Sequence, residues 1–63
     1  MDWKKDLLAV LAQDLTQELG RDPGVTLDHL NRALIDLDII DVWQAWGRGA
    51  EILVEIKSQL TRD

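Results

Sequence analysis

The densest run of ligating groups in this sequence is Asp36, Asp38 and Asp41, hard carboxylate oxygens of the kind that hold calcium or magnesium. Their setting argues against such an ion. A calcium loop of the EF-hand type alternates oxygen donors around a central glycine, whereas Ile39 and Ile40 fill the intervening positions here. On a helix, Asp36 and Asp38 would also point about 200° apart, so they cannot share an ion without a bend. The three carboxylates are expected on a solvated face or in capping roles, and no metal site is expected.

His29 is the one histidine, and cysteine is absent. Disulfides are therefore excluded, and the donors for a structural zinc or a haem are missing. There is no Glu-x-x-His pair for a di-iron bundle. Ser58 is the only serine and has no histidine at a local spacing, so a nucleophilic triad would require the fold to bring His29 to it. Gly47-Arg48-Gly49 lacks the third glycine and the preceding strand of a phosphate cradle. No catalytic residue and no cofactor can be assembled from these pieces, so the chain is not expected to be an enzyme. His29 is expected at the surface.

The tryptophans are more informative. Trp43 and Trp46 lie on neighbouring edges of one predicted helix, and Trp3 opens another. An indole gives a tiny domain more buried area than other side chains, so an ordinary core role is one reading. The other is an interface anchor, because tryptophan is enriched at binding hot spots. Three indoles are hard to bury fully in 63 residues, and Trp43 lies off the main apolar stripe.

These side chains must be positioned by helices. Trp3, Leu7, Leu11, Leu15 and Leu19 recur every four residues, with Leu8 and Ala12 alongside, Asp2 as a cap and Gly20 as a helix-ending glycine. A helix over about residues 3–19 follows. Counting Val10, its apolar positions cover roughly 200° of the circumference, more than one neighbour can bury. Arg21-Asp22-Pro23-Gly24 reads as a turn, with proline presetting φ and glycine accepting a positive φ after it.

Thr26 is a good N-cap for a second helix over about 27–37, and Val25 with Leu30 has the spacing of a hydrophobic staple. Its stripe is Leu27, Leu30, Leu34 and Leu37. A second stripe, Ile35, Ile39, Val42, Trp46, Gly49, Leu53, Ile56 and Leu60, alternates steps of four and three, the spacing of a heptad seam. The two stripes lie on different sides, which predicts a bend near residues 36–40, with Asp38 as N-cap and Asp41 in the first turn of a third helix over about 39–61. The glycines at 47 and 49 allow a break there, since each costs about 1 kcal/mol inside a helix. The unbroken three-four spacing from Val42 to Leu60 favours a continuous helix instead, with Ala45, Gly49 and Ala50 admitting a close neighbour.

The expected fold is a single all-α domain over residues 1–63, a small bundle of three helices completed by homodimerisation. A chain this short hides only about 60% of the surface it exposes when unfolded, so packing against a second copy is the expected aid to stability. The expected interface is Trp3, Val10, Val42, Trp43, Trp46, Gly49, Leu53 and Ile56. Residues that are hydrophobic make up 46% of the chain and charged ones 30%, a globular composition. The longest apolar run, Leu7 to Ala12, is six residues, far from a membrane span. The first residues lack the basic and apolar regions of a signal peptide, so a cytoplasmic location is expected.

Seven basic and twelve acidic residues give a net charge of −5, which opposes binding to nucleic acid or to anionic lipid and points to a partner with a basic patch. The expected function is a homo-oligomeric protein-interaction module: an adaptor, docking element, small regulator or inhibitor. The alternative is an acidic nucleic-acid mimic, which would require the carboxylates to gather on one face.

Overall fold

The computed structural model describes residues 2–62, and among these it is all-helical. Four helices follow one another: α1, Trp3–Leu19; α2, Leu27–Asp36; α3, Val42–Gly47; and α4, Gly49–Arg62. No strand occurs among the described residues, and no helix is long and apolar enough to cross a membrane.

The ends of α1 follow from local chemistry. Asp2 Oδ1 accepts from the Lys4 amide at 3.2 Å, and Gly20 stops the helix at φ 73° while donating its N–H to Thr16 O. The turn after it closes when Asp22 Oδ1 accepts from the Gly24 amide at 3.0 Å, with Gly24 at φ 71° as the Pro-Gly pair predicts. Thr26 caps α2 in a capping box whose third helical residue is His29. The Thr26 amide donates to His29 Nδ1 at 3.2 Å, a role more often taken by Glu or Gln.

The bend near residues 36–40 is present, but its parts differ from the expectation. Asp38 is not an N-cap. It sits at φ 58°, and its N–H donates to Ile35 O while that of Ile39 reaches back to Leu34 O. This is a Schellman closure of α2, in which a short polar side chain tolerates the left-handed conformation. The accompanying apolar contact is Ile39 against Leu34, both buried. Asp41 is the N-cap of α3, accepting from the Gln44 amide at 2.8 Å, and Gln44 Oε1 accepts in return from the Ile40 amide at 3.1 Å.

The continuous third helix is also corrected, because the chain breaks at Arg48, between the two glycines. Arg48 leaves the helical region at φ −118° and ψ 30°, and α4 starts from its carbonyl, which accepts from the Ile52 amide. The physical reason is the low helix propensity of glycine on both sides, with the Arg48 guanidinium holding the corner by donating to Leu37 O at 3.0 Å. The buried stripe of α3 and α4 also lies one residue before the expected seam at most of its positions. It runs Ala45, Ile52, Ile56 and Gln59, not Val42, Trp46, Gly49 and Leu53.

The core is drawn from all four helices. Leu7, Leu11 and Leu15 of α1 meet Leu30, Ala33 and Leu34 of α2, with Ala45, Ile52 and Ile56 closing the far side. Helix α1 touches α2, α3 and α4, so its wide apolar face finds neighbours within one chain. Gln59 is the one buried polar side chain among these residues; its Nε2 donates to His29 O at 3.2 Å and fixes α4 against the first turn of α2. Lys57 pairs with Glu18 across α4 and α1. The radius of gyration, 10.8 Å, matches the ~10.6 Å typical of a folded domain of this length.

Candidate interaction surface

With the core filled, the apolar side chains left outside concentrate at the corner where α2 passes into α3. Trp43 is 84% exposed, Ile40 80% and Ile35 77%; Trp46, one turn beyond Trp43, is 45% exposed. Their positions follow from the two caps. The Schellman closure is followed by Ile39 in the core and Ile40 exposed. The Asp41 cap then starts α3 so that Ala45 faces inward and Trp43 faces out.

Beside this ridge lies a shallow cleft of about 360 Å³ between the start of α1, α2 and the α2–α3 connection. Trp3, Leu34, Ile35, Ile39 and Ile40 make its walls, with Asn31 and Lys4 as its polar members. Asn31 Oδ1 is buried without a hydrogen-bond partner. The Lys4 ammonium lies 5.8 Å from the Trp3 ring centroid, a cation–π distance. Ile35 also borders a second, wider groove of about 730 Å³ between α2 and α4, lined mainly by Asp28, His29, Arg32, Asp36, Gln59 and Arg62. That groove mixes both signs of charge, and the His29 ring nitrogen in it is engaged with Thr26.

The expected interface residues divide into three groups. Trp43 and Trp46 stand at the exposed corner, and Trp3 lies half-buried in the cleft wall beside it. Val42, Gly49 and Leu53 are partly buried, Leu53 packing against the core, while Val10 is exposed on α1 as an isolated apolar residue. Ile56 is fully buried within the chain and is no surface residue. The close approach expected at Gly49 is not made inside this chain, since a Cβ added at Gly47 or Gly49 would meet nothing within 4 Å.

Ile35 and Ile40 were not among the residues expected at the surface. Ile40 falls on neither apolar stripe and stands between Asp38 and Asp41, a pattern that marks an outward side chain. Ile35 was assigned to a seam that the chain leaves at Leu37. The carboxylates of Asp36, Asp38 and Asp41 are all exposed, and two of the three residues are accounted for by helix ends. Among the described residues, no three His, Asp or Glu side chains group as a metal site would require. No protein-family model matches the chain, and no curated protein or solved structure matches it either.

Proposed function

We propose that this chain is a non-enzymatic protein-interaction module, an adaptor, docking element or small regulator that works through the apolar corner formed by Ile35, Ile40, Trp43 and Trp46. The observation that carries this reading is the exposure of a tryptophan at 84% three residues after an isoleucine at 80%, on a fold whose core is filled by other residues. Scattered single apolar residues on a surface need no explanation, and Val10, Leu19 and Val54 are of that kind. Ile35, Ile40, Trp43 and Trp46 instead fall within twelve residues of one another in the chain, and large exposed apolar patches mark sites of association in which tryptophan dominates the energetics.

His29 accepts from the Thr26 amide through Nδ1, so helix capping accounts for its placement at the start of α2. The net charge of −5 favours partners that carry positive charge.

The reading is tested by affinity capture from the native host, comparing the parent chain with Trp43→Ala. Proteins that bind the parent, its own untagged copies included, should be lost from the variant, while its far-ultraviolet circular dichroism is retained. An identical set captured by both chains would refute a role for this corner.

A further inference from the structure

We infer that His29 makes the start of α2 acid-sensitive: a proton taken up at Nδ1 breaks the capping box and loosens the junction between α2 and α4. The inference is independent of the apolar corner.

The capping box depends on a lone pair. His29 Nδ1 accepts from the Thr26 amide at 3.2 Å and stands 3.0 Å from Thr26 Oγ1, while the His29 amide donates back to that oxygen. A ring nitrogen that accepts carries no hydrogen, so the neutral ring holds its own on Nε2, and the atom that gains a proton on acidification is the capping atom itself. Glu or Gln, the usual residues at this position, accept through a side-chain oxygen and keep that capacity between pH 5 and 8. The imidazolium instead turns an N–H against the Thr26 N–H and keeps at most the threonine hydroxyl, to which it can donate.

Charge around the ring does not compensate. The groove that His29 lines is bordered on α2 by Asp28, Arg32 and Asp36 and on α4 by Arg62, two carboxylates against two guanidiniums, and Arg62 faces Glu55 at 3.9 Å. Among the described residues no carboxylate forms an ion pair with His29. The ring also stands in the first turn of a ten-residue helix, where the backbone N–H groups favour negative charge and oppose a cation.

The consequence reaches α4. His29 O, in the same first turn, accepts at 3.2 Å from Nε2 of Gln59, the buried polar side chain that ties α4 to α2. Fraying of that turn moves the carbonyl and leaves a buried amide donor without its partner, at a cost to the fold. One protonation thus acts on two contacts, the start of α2 and the seat of α4. The cap is made by the neutral ring and only in the folded chain, so its contribution is present at pH 7.5 and is lost as the pH falls through the imidazole range.

The test is urea unfolding at pH 7.5 and pH 5.5, both above the ordinary carboxylate range, on the parent, His29→Gln and His29→Ala. For the parent, the unfolding equilibrium constant is expected to rise about fivefold at pH 5.5, the size of a lost cap. His29→Gln keeps an uncharged acceptor at the third helical position, so it should match the parent at pH 7.5 and change by less than about twofold at pH 5.5. His29→Ala should be weakened equally at both. In an NMR titration of the parent, the Thr26 amide and the Gln59 side-chain amide should shift with the same midpoint as the His29 ring. A parent as stable at pH 5.5 as at pH 7.5 overturns the inference, as does an acid loss in His29→Gln equal to that of the parent. A Gln59 amide that ignores the ring titration refutes the coupling to α4.

Discussion

At the scale of single residues, two aspartates three positions apart perform opposite tasks. Asp41 accepts from the Gln44 amide in an extended conformation that suits its side chain. Asp38 instead occupies φ 58°, where any Cβ is penalised and glycine is the preferred residue. Substitution should therefore act with opposite signs. Asp38→Gly is expected to stabilise the fold by about 0.5–1 kcal/mol. Asp41→Ala is expected to cost about 1 kcal/mol through the lost cap. Urea unfolding, with unchanged slope and shifted midpoint, measures both. Movement of the two midpoints in the same direction would contradict this assignment of the caps.

At the scale of elements, the helices that begin and end with strong local signals were legible in the sequence. Helix α1 lies between Asp2 and Gly20, and α2 starts after Thr26 with Val25 packed beneath it, because each boundary is set by its own side chains. The bend between α2 and α3 was legible as a change of stripe. Its mechanism was obscured because Asp38 serves both as a credible N-cap by type and as a left-handed closing residue by tolerance. The Asp41-Val42-Trp43-Gln44 capping pattern was the local signal for the true start of α3. The break at Arg48 was hidden by a three-four apolar spacing that survives across it, so periodicity and glycine propensity gave opposing answers and the local cost prevailed.

Gly47 and Gly49 thus act through backbone freedom. Neither has a positive φ, and an added Cβ at either position meets open space. Gly47→Ala should accordingly raise stability by about 0.5–1 kcal/mol, a gain of several degrees in thermal midpoint for a domain of this size. A fall in midpoint would mean that the glycine serves a close contact after all.

At the scale of the whole molecule, the candidate surface was half legible. Trp43 stood out because it lies off the apolar stripe, and it is the most exposed large apolar residue of the described chain. Ile40 did not stand out, since its outward direction depends on the left-handed turn before it. Ile56 was expected at the interface because it belongs to the seam from Val42 to Leu60, whereas the stripe that the fold buries, Ala45, Ile52, Ile56 and Gln59, places it in the chain's own core. The resulting molecule fills a core from all four helices and keeps a tryptophan and two isoleucines outside it.

The central claim is that these outer residues serve association and not folding. It is tested most directly by equilibrium urea unfolding of Ile40→Ala/Trp43→Ala at sub-micromolar protein, where self-association makes no contribution. Truncating a buried tryptophan costs about 3–5 kcal/mol and a buried isoleucine about 2–5. The account predicts a loss below about 1 kcal/mol for the two together. A loss of roughly 3 kcal/mol or more would show that the corner is part of the core, and would contradict it.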